Sequence, residues 1–219
     1  MLENRTMIKV CGMTRREDIK FAANIGVDAV GFILAESSRQ VSLSRVRKLI
    51  DDCPPFISRV AVVVNPTKNE IKEITDSRLF DYIQFHGSEE VELIKNTPLK
   101  SIKAISIAGE EDLKELEKYK EAADFLLFDT KIGSQTGGTG ESFDWSLISN
   151  LKIPYILAGG LGPKNIKEAL TKLNPTAVDI NSRVENEPGK KNHRLLKEIV
   201  EKIKNFKPRF EAKIKLRTD

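Results

Sequence analysis

The chain is poor in the residue types that build disulfide scaffolds and metal centres: two cysteines, two histidines and one tryptophan among 219 residues. Cys11 and Cys53 share no ligand-like spacing with His86 or His193, so no metal site is expected. No window approaches the roughly 18 consecutive apolar residues of a membrane-spanning helix, and no membrane partner is expected. The segment before Met7 is mostly polar, and the apolar stretch after it is too short for a signal peptide. The expected compartment is the cytoplasm, where thiols stay reduced. Charge of one sign is scarce too, since 36 Lys and Arg against 32 Asp and Glu leave only +4. Part of that excess lies in the last thirteen residues, where Lys207, Arg209, Lys213, Lys215 and Arg217 outnumber Glu211 and Asp219. Aromatics make up 6% and are spread along strand-like segments, so the basic, aromatic-laced surface of a nucleic-acid binder is missing. A small anionic substrate is compatible.

Eight short apolar or β-branched runs are present instead: Met7 to Val10, Ala29 to Leu34, Val60 to Val64, Tyr82 to Phe85, Ser101 to Ile107, Phe125 to Phe128, Tyr155 to Leu157 and Ala177 to Ile180. Most are nearly continuous in hydrophobicity, as strands covered on both faces are. Amphipathic segments of helical period separate them, the weakest being Trp145 to Leu151. Helix-start signals stand at Thr14 with Glu17, Ser42, Thr67 with Glu70, Ser88, Asp144 and Pro163. The pattern predicts an α/β fold, a single (β/α)₈ TIM barrel with eight parallel strands. An open doubly wound sheet would usually have fewer strands at this length, and the first turn lacks a G-x-G-x-x-G fingerprint. Residues 1–206 read as one barrel domain and 207–219 as a basic tail, disordered or extraneous to it.

In such barrels the residues just past the strand ends converge on one face. The most informative stretch is Lys9-Val10-Cys11-Gly12-Met13-Thr14, which puts a thiol at a strand-to-helix junction. Cys11 reads either as a small buried strand residue or as a thiolate favoured by a helix N-terminus, with its pKa lowered and Lys9 pointing inward beside it. Asp129 follows Phe125 to Phe128, an apolar run that would raise a carboxylate's pKa and suit a general acid; a simple turn cap is the other reading. Gly159 and Gly160 after the seventh strand, with Asn181, Ser182 and Arg183 after the eighth, form either a phosphate site or ordinary tight turns. Arg39 offers a fork for a carboxylate or is a surface residue. Gln84 and His86 flank Phe85 and share the opposite face, as a substrate contact or a core-lining pair. The glycine-rich Lys131 to Gly140 segment reads as a lid or as a solvated loop.

Taken in order, these residues resemble the phosphoribosylanthranilate isomerase family of tryptophan biosynthesis from about Met7 to Phe206. The motifs are Lys9-Val10-Cys11-Gly12-Met13-Thr14, Ser38-Arg39-Gln40-Val41, Val62-Val63-Val64-Asn65 and Gln84-Phe85-His86-Gly87. They continue with Phe128-Asp129, Gly137-Gly138-Thr139-Gly140, Phe143-Asp144-Trp145, Leu157-Ala158-Gly159-Gly160-Leu161 and Val178 to Glu185 before Pro188-Gly189. The resemblance implies a cofactor-free Amadori rearrangement of N-(5-phosphoribosyl)anthranilate to 1-(2-carboxyphenylamino)-1-deoxyribulose 5-phosphate. It implies Asp129 as acid, Cys11 as base, and Arg39 on the anthranilate carboxylate. Gln84, His86 and Asp179 would contact substrate, and Gly159, Gly160, Asn181, Ser182 and Arg183 would bind phosphate. Many members carry glycine in place of Arg183 and leucine in place of Phe85. The expected partner is a small phosphosugar, and the assembly a monomer or homodimer. Two readings compete: another phosphosugar barrel such as an indoleglycerol phosphate synthase, which would need a catalytic lysine where Cys11 or its neighbours stand, and a non-catalytic phosphoribosyl binder, which would have no reason to keep the acid and base.

Overall fold

The computed structural model describes residues 5–51, 53–107, 109–130 and 145–207. The expected lid segment, Asp144 and the basic tail from Pro208 lie outside them. Eight strands form a closed, all-parallel barrel in sequence order. They are β1 (Met7–Val10), β2 (Ala29–Ile33), β3 (Ser58–Val63), β4 (Tyr82–Phe85), β5 (Lys100–Ile107), β6 (Phe125–Thr130), β7 (Ile156–Ala158) and β8 (Ala177–Ile180). Closure comes from β1 on β8, with Lys9 directly opposite Asp179. Helices α1 (Arg16–Asn24), α2 (Leu43–Ile50), α3 (Lys68–Asp76), α4 (Val91–Lys95), α5 (Leu113–Tyr119), α6 (Ser146–Ser149), α7 (Ile166–Leu173) and α8 (His193–Lys204) follow the strands in turn. The weak sixth pattern is a single turn of helix. An antiparallel hairpin, β9 (Glu185–Glu187) with β10 (Lys190–Lys191), had no counterpart in the sequence reading.

The strands read as continuously apolar, yet their two faces differ. Residues of one parity, among them Ile8, Val10, Ile83, Phe85, Phe128, Val178 and Ile180, join the helices in one large core. Those of the other parity fill the barrel interior with Val60, Val62, Ile102, Ala104, Leu127 and Ala158. Period two carries Lys9, Gln84, Asp129 and Asp179 onto this inner face, and Cys11 follows just past the end of β1. The carboxyl end of the barrel is therefore where polarity accumulates.

Two helix-start signals worked and two did not. Thr67 and Glu70 form a reciprocal capping box, and Ser42 accepts from the Arg45 amide at 3.2 Å. Thr14 does not cap α1, because its hydroxyl donates to the Gly189 carbonyl in the hairpin, and Arg15 takes the cap position with no side-chain bond. Ser88 does not cap α4 either; Glu90 stands there. Pro163 lies in a turn just ahead of α7.

Candidate active site

Cys11 closes the end of β1, its amide bonded to the Ile180 carbonyl at 2.8 Å and its side chain buried. Gly31 on β2 makes room for it, since a β-carbon there would stand 2.8 Å from Sγ and 3.3 Å from Lys9 Cε. Lys9 Nζ donates to Asp179 Oδ2 at 2.6 Å in a buried ion pair, and its charge acts on the thiol two residues along. Burial pushes the Cys11 thiol above its ordinary value, Lys9 and Lys191 pull it down, and Asp179 pushes it up. The net direction is upward, opposite to the expectation from helix position, because desolvation of the buried thiol outweighs the neighbouring cations.

Across the barrel, Asp129 near the end of β6 meets His86 Nε2 through Oδ2 at 3.1 Å. Gln84 Nε2 lies 3.1 Å from His86 Nδ1. With the amide nitrogen donating, the imidazole proton sits on Nε2 and points at the carboxylate. The histidine thus partners the carboxylate and not the thiol. Gln84 Oε1 and Asp179 Oδ1 are buried acceptors without a donor among the described residues. Buried acceptors of this kind are normally satisfied, and hydroxyl groups of a ligand are suited to do so.

A cavity of about 220 Å³ joins these groups. Cys11, Asp129, Gln84, His86 and Asp179 line it, as do Gly159, Gly160, Asn181 and Ser182. Gly159 and Gly160 adopt φ of +93° and +57°, two successive left-handed residues that side chains would oppose. Asn165 laces that turn, its amide donating to the Gly160 carbonyl at 3.1 Å and its oxygen accepting from the Gly162 amide at 2.8 Å. Helix α7 begins at Ile166, several residues beyond the glycines, so the backbone of the turn is nearer the cavity than the helix end.

Two expected site residues do not line the cavity. Arg183 is exposed, its Cβ packed over Gly162. Arg39 lies beside Gly12, its guanidinium forked onto Glu185 with Nη2 to Oε2 at 2.6 Å and Nε at 3.0 Å from each oxygen. Sequence reasoning missed Glu185 as the partner of Arg39, and it missed Lys191 and the buried Glu89–Lys103 pair altogether. Paired charges such as Lys190-Lys191 and Glu89-Glu90 carry no local sign of burial; the Pro188-Gly189 turn, flanked by short segments, is the one signal that could have suggested a hairpin. No group of three or more metal-ligating side chains is gathered among the described residues. No helix among them is long and apolar enough to cross a membrane.

A closed parallel barrel that gathers a thiol, a carboxylate and a glycine turn around one cavity at the carboxyl ends of its strands is the architecture of an α/β-barrel enzyme. The family model for N-(5'-phosphoribosyl)anthranilate (PRA) isomerase matches residues 8–202. The N-(5'-phosphoribosyl)anthranilate isomerase of Petrotoga mobilis is 55% identical over 202 residues, covering 91% of this chain and 98% of its own length. That of Legionella pneumophila strain Paris is 40% identical over 205 residues, covering 93% and 99%. The crystal structure of phosphoribosyl anthranilate isomerase from Thermotoga maritima superposes with a TM-score of 0.85 at 35% identity, covering 92% of this chain and all of that one. The chain belongs to the phosphoribosylanthranilate isomerase family.

Proposed function

We propose that Cys11 and Asp129 are the base and acid with which this chain performs its family's isomerisation, the Amadori rearrangement of N-(5-phosphoribosyl)anthranilate in tryptophan biosynthesis. Asp129 in its acid form gives a proton to the ribose ring oxygen as the C1–O bond breaks and the anilino nitrogen supplies the electron pair of the iminium. The Cys11 thiolate then takes the C2 proton, and the C2–H electrons form the enolamine, which tautomerises to the ketone. Each step exchanges a proton between a side chain and one substrate, with no net oxidation, so the chemistry calls for no metal or organic cofactor. A structure described as phosphoribosyl anthranilate isomerase in complex with reduced 1-(o-carboxyphenylamino)-1-deoxyribulose 5-phosphate, 33% identical to this chain with a TM-score of 0.82, supports a phosphosugar ligand. Gly159, Gly160, Asn181 and Ser182 line the cavity and would take the phosphate, whereas exposed Arg183 does not line it. Gln84, His86 and Asp179 offer contacts for the sugar hydroxyls. Arg39, steadied by Glu185, would take the anthranilate carboxylate.

The observation that carries this reading is that Cys11 and Asp129 line one cavity together with both turns. Steady-state turnover of phosphoribosylanthranilate tests it. Cys11→Ser and Asp129→Asn should each lose about 10²- to 10⁴-fold in kcat. Equal turnover by wild type and both variants would refute the roles.

We take residues 1–206 as the catalytic domain, and the free thiols at Cys11 and Cys53 fit a cytoplasmic enzyme. For assembly we favour a homodimer over a monomer. Phe56 is 98% exposed beside a cavity at the amino end of the barrel, lined by Arg5, Gly26, Pro54 and Lys204, and a T. maritima structure is described as monomers generated from a dimeric isomerase. Sedimentation should show a dimer that Phe56→Glu dissociates; a wild-type monomer at micromolar concentration would end this reading.

A further inference from the structure

The β9–β10 hairpin delivers to the site a lysine that the reaction steps leave unused. Lys191 has a side chain with 0% exposure, and its Nζ donates to Asn181 Oδ1 at 2.9 Å and Glu185 Oε1 at 2.7 Å. Asn181 lines the cavity, and Glu185 holds the Arg39 guanidinium. Both arms end beside the residue that follows Cys11: a β-carbon on Gly12 would stand 2.7 Å from Arg39 Cδ and 2.8 Å from Asn181 Oδ1. The hairpin is itself anchored, since the Lys191 amide donates to buried Asp18 at 3.1 Å and Thr14 donates to the Gly189 carbonyl. One ammonium therefore braces two walls of the site from a fixed point.

Charges around the thiol are uneven. Lys9 from β1, Lys191 from β10 and Arg39 from the loop after β2 are positive, while Asp179 from β8 and Glu185 from β9 are negative. Asp129 and His86 face it from across the cavity. Removing Lys191 leaves two cations against two anions on the Cys11 side. It also leaves Glu185 buried, with Arg39 alone to compensate it.

We propose that Lys191 is a positioning residue of this active site: it holds Asn181 and the Glu185–Arg39 pair beside Cys11 and contributes the positive charge that favours the thiolate. The proposal rests on Cys11 being the base. Lys191 is among the groups that pull the buried thiol down, so its loss should move the thiol further up.

Alkylation by iodoacetamide reads the thiol without reference to turnover. A Cys53→Ala background leaves Cys11 as the one thiol. There, Lys191→Met and Lys191→Gln should lower the alkylation rate near neutral pH about tenfold, which corresponds to about one pH unit in the midpoint. Lys191→Arg should restore most of it. Lys191→Gln keeps a donor for Asn181 without the charge, and it carries the test if Lys191→Met fails to fold by circular dichroism. The acidic limb of kcat/KM should move to higher pH by the same amount. Alkylation profiles unchanged in a folded Lys191→Gln protein would overturn the proposal. A thiol profile that moves while the kcat/KM limb stays fixed would uphold the hold of Lys191 on the thiol and overturn Cys11 as the base.

Discussion

Replacing Lys103 with methionine should cost the barrel about 3–5 kcal/mol, because it strands a carboxylate in the protein interior. Lys103 rises from β5 on the outer face of the barrel, and its Nζ meets Glu89 Oε2 at 2.7 Å with side-chain exposures of 2% and 0%. The same ammonium donates to the Gly87 carbonyl and lies 4.9 Å from the centre of the Tyr119 ring, whose hydroxyl donates to the Glu89 carbonyl at 2.8 Å. Glu89 Oε1 also accepts from the Asn65 amide at 3.0 Å and the Gly87 amide at 2.8 Å. These amides soften the loss but do not neutralise the charge. For a chain of this size each kcal/mol lowers Tm by roughly 2–4 °C, so Tm should fall by about 6–20 °C. Urea unfolding followed by circular dichroism gives the free energy directly. The double variant Glu89→Gln with Lys103→Met removes the stranded charge while leaving an oxygen for the amides, and it should recover about half of the loss. The pair also ties down the turn that carries His86 to Asp129, so kcat/KM should drop in the single variant. A single variant costing under about 1 kcal/mol, or a double variant no more stable than the single, would refute this reasoning.

Gly12→Ala should destabilise the fold by about 1–3 kcal/mol and lose more turnover than stability. Its φ is +74°, and a β-carbon would press on Arg39 and Asn181; wild-type turnover would sink the prediction. Acid should unfold the protein through Glu89 and Glu185, whose carboxyls are held below the ordinary 4.5: burial pushes each up, and hydrogen bonds from Lys103 or from Arg39 and Lys191 more than offset it. A depressed folded pKa stabilises above the unfolded value, and that stability is lost as pH falls through the folded one. Unfolding free energy should therefore decline below about pH 4.5, and Glu185→Gln should flatten the decline; an unchanged slope would contradict it.

The barrel was legible because each strand and each helix announces itself over a few residues. Met7–Val10, Tyr82–Phe85 and Ala177–Ile180 are the segments read from local hydrophobicity, and Thr67 with Glu70 is a cap written within one helical turn. Thr14 misled because its hydroxyl was claimed by Gly189, 175 residues away. Lys191 and Glu89 were missed because adjacent charges look solvated until a hairpin or a turn folds over them.

The sequence by itself determined the eightfold alternation, the strand ends at which Cys11 and Asp129 stand, and the glycines of the turn after β7. These rest on short-range patterns of side-chain period, turn chemistry and motif order. Tertiary structure decided which of those residues meet. It gave His86 to Asp129, gave Arg39 to Glu185, and enclosed Cys11 with Lys9, Asp179 and Lys191 so that desolvation set the direction of its pKa. Barrel closure brings together groups 170 residues apart, as Lys9 and Asp179 are, and Coulomb and burial energies depend on distance in space, not on separation along the chain.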